Sequence, residues 1–239
     1  MNRRVLVTGG SSGIGAAAVA TLADHGWRVL ATGRDRERLV AVAGPHGGSV
    51  ATAVADLTDA DDLAALVALA AAEPLDAIVH AAGVIALSPL TEADPDDLDW
   101  QWRVNVAAPV RLTRALMPAL RASRGHVLFV NSGAGRRAKA GWGAYAASKF
   151  ALRAVADAWR AEEADRGVRF TSLYPGRTDT PMQRAVYEAE GRAYDTNDEP
   201  LSGAAPDGVA PVGAVAEAIR RALEAPPAAT WTDLEVRAV

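Results

Sequence analysis

The first two dozen residues constrain the fold of this chain more than any other stretch. Arg4 to Thr8 (Arg-Val-Leu-Val-Thr) is a short run of β-branched and aliphatic residues that ends at a glycine cluster, the pattern of a buried strand. Gly9-Gly10-Ser11-Ser12-Gly13-Ile14-Gly15 follows, and the alanine-rich run from Ala16 to Ala23 predicts a helix. Strand, glycine turn and helix in that order suit a phosphate. The glycines let the backbone turn sharply and approach a pyrophosphate, and the N–H groups at the helix start face its charge. The spacing is T-G-x-x-x-G-x-G, not the G-x-G-x-x-G of the usual dinucleotide fingerprint. Taken alone, a glycine turn between strand and helix also serves as plain structure, so the rest of the chain has to decide.

Strand-like and helix-like segments alternate from there to the C-terminus. Strands are predicted at residues 28–32, 49–54, 75–80, 126–131 and 169–174, with a last one near 230–236. Several are continuous aliphatic runs, as expected of strands covered on both faces. Between them, Thr58 with Asp61 three later resembles a capping box, after which Leu63, Leu66, Val67 and Ala70 repeat at helical spacing. Asp94-Pro95-Asp96-Asp97 offers an N-cap, a proline at the first helical position and acids in the first turn. This alternation predicts an α/β fold: one Rossmann-like, doubly wound parallel sheet with helices on both faces. No repeat, low-complexity tract or linker divides the 239 residues, so a single domain over 1–239 is expected.

Chemistry is concentrated in Tyr145-Ala146-Ala147-Ser148-Lys149, with Ser132 thirteen positions upstream of the tyrosine. Tyr145 and Lys149 lie one helical turn apart and can share a substrate and a cofactor. A free phenol titrates near ~10, and an ammonium a turn away favours the phenolate, which is how a tyrosine becomes an acid or base near neutrality. Ser132, if it faces Tyr145, can hydrogen-bond the oxygen that gains or loses charge. On its own Y-x-x-x-K is common, and its plain alternative is an exposed helix face.

Composition excludes several classes. The net charge of −4 argues against a nucleic-acid partner, which would want a basic patch. Without cysteine there is no disulfide and no thiolate metal site, and no metal-ligand spacing joins His80 to His126; those two are expected to be sheet-end residues. The longest uncharged stretch, residues 77–91, is too short to span a membrane, and the chain enters a strand almost at once, leaving no room for a signal peptide. A cytoplasmic protein is expected.

Together these residues resemble the short-chain dehydrogenases/reductases of the roughly 250-residue type, in order and spacing from Arg4 to the C-terminus. Thr8 to Gly15 matches that family's cofactor turn, with Gly9, Ser11, Ser12, Gly13, Ile14 and Gly15 as its contacts. Asp56-Leu57 matches the adenine-contacting pair, and Ala81-Ala82-Gly83 occupies the Asn-Ala-Gly segment. Asn105, Ser132, Tyr145 and Lys149 match the catalytic positions, and Pro175-Gly176 with Thr178 and Thr180 the nicotinamide-side segment. One departure stands out: Ala81 replaces the usual asparagine, which in the family mainly braces the sheet. The resemblance implies a helix distortion at Asn105 whose carbonyl holds a water in a proton relay from Lys149. It implies that Lys149 both holds the nicotinamide ribose and lowers the Tyr145 pKa. It also implies a homodimer or homotetramer through the two long central helices. Trp100, Trp102 and Trp159 are expected to pack helices or that interface.

The implied activity is hydride transfer between a nicotinamide and the carbonyl or secondary-alcohol carbon of a small substrate, with Tyr145 as acid or base. A same-fold epimerase or dehydratase and a catalytically silent NADP-sensing protein are the alternatives. Cofactor preference rests on one position. In this fold an acidic residue about 20 after the glycine turn binds the ribose hydroxyls of NAD, and an arginine accommodates the 2′-phosphate of NADP. Here Gly33 stands at the acidic position and Arg34 follows, offering a planar fork to a phosphate. NADP is expected over NAD, with Asp35 read as a helix N-cap. Substrate determinants are placed in residues 133–144, where Arg136, Arg137 and Lys139 either attract an acidic substrate or form a solvated loop. Finally, residues 177–208 are long for a connection in an α/β unit and directly follow the nicotinamide-side segment. They are expected to form a substrate lid, with a short helix over 183–190 and apolar cover from Met182, Val186, Tyr187 and Tyr194, the alternative being a static surface excursion.

Overall fold

The structure is a computed structural model that describes residues 3–191, 208–226 and 228–238. Seven parallel strands form one sheet: β1 (Arg4–Thr8), β2 (Arg28–Gly33), β3 (Val50–Val54), β4 (Ala77–His80), β5 (His126–Val130), β6 (Arg169–Pro175) and β7 (Asp233–Val236). Their spatial order is β3-β2-β1-β4-β5-β6-β7. The chain winds outward from β1 to β3, then returns past β1 to lay β4 on its other side. Thr8 pairs with Thr32 on one flank and with His80 on the other. That reversal opens a crevice above the carboxyl ends of β1 and β4, where ligands bind in doubly wound sheets.

Eight helices cover the sheet among the described residues: α1 (Gly13–Asp24), α2 (Arg36–Ala43), α3 (Ala60–Ala71), α4 (Pro95–Trp102), α5 (Ala108–Ser123), α6 (Gly143–Glu162), α7 (Pro181–Ala189) and α8 (Val212–Glu224). Strand side chains alternate between two cores, as a period of two requires. Val5 and Val7 pack with Val19 and Leu22 of α1, Leu39 of α2 and Ile219 of α8. Leu6, Ile78 and Phe129 face the other way, onto Leu66 of α3, Leu112 and Leu116 of α5 and Leu152 of α6. Each fully buried leucine of this kind contributes about 1.5–3 kcal/mol. His80, Phe129, Trp159 and Phe170 stack in sequence on that second face, with ring centroids 5.1, 6.1 and 5.8 Å apart. Trp159 therefore packs α6 onto the sheet, whereas Trp102 is half exposed.

Arg4 ties the first strand to α3. Its buried guanidinium donates to the carbonyls of Leu69, Ala70 and Glu73 at 3.1, 2.7 and 3.2 Å, satisfying orphan acceptors at the helix end. At the other end of α3 the capping-box expectation is corrected. Asp59, not Thr58, is the N-cap and accepts from the Asp61 and Asp62 N–H groups, while Thr58 donates its hydroxyl to Asp56. Asp94 and Asp35 cap α4 and α2 as expected.

The glycine turn is packed too tightly for side chains. Gly9 has φ +67°, and a Cβ there would lie 2.7 Å from the Ala82 nitrogen. A Cβ on Gly15 would lie 2.1 Å from the Gly9 carbonyl oxygen. These contacts hold the start of α1 against β4, which lets its first N–H groups open into the crevice. Ser12, the N-cap, makes no side-chain cap hydrogen bond, in contrast to the Asp and Thr caps of α2, α3, α4 and α7.

Candidate active site

A cavity of about 420 Å³ occupies the crevice. At one end lie Gly9, Ser11, Ser12, Gly13 and Ile14 from the glycine turn, Gly33 and Arg34 from the end of β2, and Asp56 and Leu57 after β3. Ala81, Ala82 and Gly83 line its middle. Pro175, Gly176, Thr178 and Thr180, following β6, close the far wall. Gly15 is not on the lining; it lies beneath Gly9 and acts through the turn. Where Ala81 replaces asparagine, the Thr8 hydroxyl accepts from the Ala82 N–H at 3.2 Å and braces the same loop.

Gly33 and Arg34 shape the β2 end of the cavity. A Cβ on Gly33 would sit 2.9 Å from the Ser11 hydroxyl oxygen and 3.2 Å from its Cβ, so a side chain at that position would require the Ser11 side chain to give way. Arg34 stands exposed at the rim. Asp56 is held below the ordinary carboxylate range by hydrogen bonds from the Thr58 N–H and hydroxyl, at 2.8 and 2.7 Å, with the Arg34 charge adding to the effect.

Around the middle of the cavity Ser132, Tyr145 and Lys149 come together on the lining. Ser132 follows the end of β5 and accepts from the Ala134 N–H at 3.1 Å. Tyr145 lies in the first turn of α6, and Lys149 one turn further in. Both are buried. Burial pushes the Tyr145 phenol up to about 12, an effect the Ser132 hydroxyl opposes, and brings the Lys149 ammonium down to about 8. The Lys149 Nζ donates to the Val130 carbonyl at 3.1 Å and lies 5.8 Å from the Tyr145 ring centroid.

Asn105 sits inside a π-helical segment, Arg103–Ala107, which is the distortion anticipated between α4 and α5. Its side chain does not line the cavity. Its Oδ1 accepts from the Val84 N–H at 2.8 Å, and its Nδ2 donates to the Val84 carbonyl and the Ser148 hydroxyl at 2.9 and 3.0 Å. Ser148 in turn donates to the Tyr145 carbonyl at 2.7 Å. Asn105 thereby ties the loop after β4 to the turn that carries Tyr145.

Sequence reasoning passed over two buried residues that set this geometry. One is Ser148. The other is Asn131, which accepts from the Ser132 N–H at 2.9 Å and donates to the Lys149 carbonyl at 3.2 Å, joining the serine to the lysine helix. The signal was present: an asparagine ending an aliphatic strand is costly unless its amide is fully used.

The first part of the segment expected to form a lid is among the described residues. The segment forms α7 over Pro181–Ala189, two residues earlier at its start than anticipated, and Met182 and Val186 face the cavity. Tyr187 is buried but off the lining. Tyr194, with the rest of residues 192–207, lies outside the described residues. Among the described residues no helix is long and apolar enough to cross a membrane.

Comparison with known proteins agrees with this architecture. The sequence profile of the short chain dehydrogenase family matches residues 3–191. The chain belongs to that family, and so to a family of oxidoreductases. It is 34% identical over 243 residues to an uncharacterized short-chain type dehydrogenase/reductase of Sinorhizobium fredii, covering 99% of this chain and 92% of that one. Among solved structures, a putative NAD(P)-dependent gluconate 5-dehydrogenase from Beutenbergia cavernae with NADP bound at low occupancy is 30% identical, with TM-score 0.83 over 98% of this chain and 94% of that one. An alcohol dehydrogenase from the archaeon Thermococcus sibiricus complexed with 5-hydroxy-NADP superposes with TM-score 0.86 over 100% and 97% of the two chains at 24% identity, a likeness of fold.

Proposed function

We propose that this protein is an NADP-dependent carbonyl reductase that moves a hydride between the nicotinamide and the carbonyl or secondary-alcohol carbon of a small substrate. The observation that carries the reading is the meeting of Ser132, Tyr145 and Lys149 in the cavity that also holds the glycine turn and Arg34. The close packing around Gly9 and the uncapped start of α1 fit a pyrophosphate. Arg34 beside Gly33, which offers a ribose no carboxylate, fits a 2′-phosphate. The NADP in the Beutenbergia cavernae relative supports the same preference.

NADPH, when bound, supplies a hydride, with both its electrons, to the carbonyl carbon, and the oxidised ring carries a positive charge. The residues manage the oxygen and its proton. The Ser132 hydroxyl donates a hydrogen bond to the substrate oxygen as negative charge builds on it. A phenol near 12 is fully protonated at neutral pH, so Tyr145 is poised as the acid, and a nascent alkoxide is basic enough to take its proton. One hydride and one proton then convert C=O to CH–OH. Lys149, with a pKa of about 8, remains largely an ammonium at neutral pH and is placed to hold a ribose hydroxyl and to favour the transient phenolate. Asn105, Asn131 and Ser148 position these groups. In the oxidative direction Tyr145 must begin as phenolate, so oxidation is expected to accelerate with rising pH where reduction does not. The proposal includes a homo-oligomer formed through the central helices, in keeping with half-exposed Leu98, Trp102 and Phe150.

A panel of ketones and aldehydes offered with NADPH and, separately, NADH tests the reading by cofactor consumption. Turnover with NADPH at a kcat/KM at least about tenfold above that with NADH is expected. Failure to oxidise either cofactor with any carbonyl, or a preference for NADH, contradicts it.

A further inference from the structure

We propose that the substrate end of the cavity selects a neutral carbonyl compound carrying an apolar substituent and rejects carboxylate- and phosphate-bearing ones. The inference rests on the carbonyl-reductase reading and names the substrate class of that site. The wall beside Tyr145 is apolar. Ile85 and Trp142 pack with Ala134 and Tyr145 in one hydrophobic cluster, and the Trp142 ring meets the Tyr145 ring edge-on at 5.9 Å. Met182 and Val186 of α7 face the same space, with Gln183 the polar residue of that helix on the lining.

The cations that precede Tyr145 in the sequence are turned elsewhere. The Arg136 guanidinium lies 3.9 Å from the Tyr174 ring centroid and 3.5 and 3.9 Å from the Glu235 and Asp233 carboxylates of β7. Lys139 is 2.8 Å from Glu190 at the end of α7 and 3.8 Å from the Trp142 ring centroid. The same Glu190 oxygen accepts from the Trp142 indole N–H at 3.2 Å, so one carboxylate neutralises the lysine and fixes the aromatic wall. Neither Arg136, Arg137 nor Lys139 is on the lining. The charged lining residues among those described are Arg34 and Asp56 at the β2 end, Lys149 at the centre, and Arg177 at the mouth, whose guanidinium leans over Tyr187 at 5.7 Å from the ring centroid. Among the described residues Lys149 Nζ is engaged by the Val130 carbonyl and Arg177 leans over Tyr187, so a carboxylate carried beyond Tyr145 would face Ile85, Trp142, Met182 and Val186, which return none of the hydrogen bonds it loses with its hydration.

Acetophenone and 4-acetylbenzoate, a matched pair differing in one remote charge, test this with the unmutated protein. The reaction is ketone plus NADPH plus a proton giving the secondary alcohol plus NADP. Expected is a kcat/KM for acetophenone at least about tenfold above that for the carboxylate. In parallel, calorimetric titration of both ketones into the NADP complex, where no hydride is available, reads binding without chemistry, and the neutral ketone is expected to bind at least about tenfold tighter. Equal or better turnover or binding of the carboxylate overturns the substrate class while leaving reduction intact, as does failure of both ketones to bind. Selective binding of acetophenone with no reduction of either compound sustains the class and overturns the reductase reading instead.

Discussion

The two ends of the cavity are built in different ways. At the β2 end the backbone makes the site: Gly9 and Gly15 let chain meet chain at distances no side chain survives, and one exposed arginine, Arg34, is proposed to supply the discrimination. At the other end side chains make it. Tyr145 and Lys149 are buried in the first turns of α6 and held in register by Asn105, Asn131 and Ser148, which arrive from the π segment, the residue after β5 and α6 itself. A backbone site tolerates no added atom and is written in local spacing. A side-chain site is written in long-range hydrogen bonds, and its electrostatics come from burial.

The contrast breaks most visibly at Lys149, which is assigned to both ends. Lys149→Ala is expected to lower turnover by at least about a hundredfold, within the range for losing proton management, and to weaken NADPH as well. Steady-state kinetics beside calorimetry checks both; loss of turnover with full cofactor affinity would remove its ribose role. Next in size is Arg34→Ala, expected to weaken NADPH by roughly 1.5–3 kcal/mol, as for a lost hydrogen bond to a charged group, and to leave NADH nearly unchanged. Equal loss for both nucleotides would mean the arginine does not read the phosphate.

Gly9→Ala probes the backbone end directly. With φ at +67° and a new Cβ 2.7 Å from the Ala82 nitrogen, it is expected to cost about 1–3 kcal/mol of stability in urea unfolding. An unchanged midpoint would show that the turn yields more readily than its packing implies. The smallest effect is in the frame that carries both ends. Burial holds His80 and His126 neutral, down to about 3, with Nε2 of each 2.8 Å from a threonine hydroxyl. Their folded values lie below the unfolded ones. Between pH 6.5 and 3 the unfolded chain therefore binds protons that the folded chain refuses, and stability falls as pH falls. His80→Gln is expected to flatten the slope of stability against pH between 5 and 6 by about 1.2 kcal/mol per pH unit. An unaltered slope would show that His80 titrates normally.

How much of this the sequence disclosed follows the same division. The glycine turn, Arg34 and the strands were legible because their signals are local: β-branched runs, glycines at fixed offsets, an acidic position left vacant. Strand ends were less so. Leu75 fills the core and Asp76 accepts from the Arg4 N–H at 2.7 Å, so β4 starts only at Ala77, although the apolar pattern begins earlier. At α3 the aspartate beside Thr58 outcompeted it for the cap, a contest between neighbours that a motif does not decide. Asn131 and Ser148 were missed because their partners lie eighteen and forty-three residues away. At Tyr145, spacing shows the lysine and hides the desolvation that burial adds.

The central claim is that Tyr145 moves the proton and the β2 end holds the cofactor. Tyr145→Phe, titrated with NADPH by calorimetry and assayed on the best carbonyl substrate in the same preparation, tests it most directly. The account predicts NADPH affinity within about tenfold of the unmutated protein and turnover reduced by at least about a hundredfold. Turnover near the unmutated rate would contradict it.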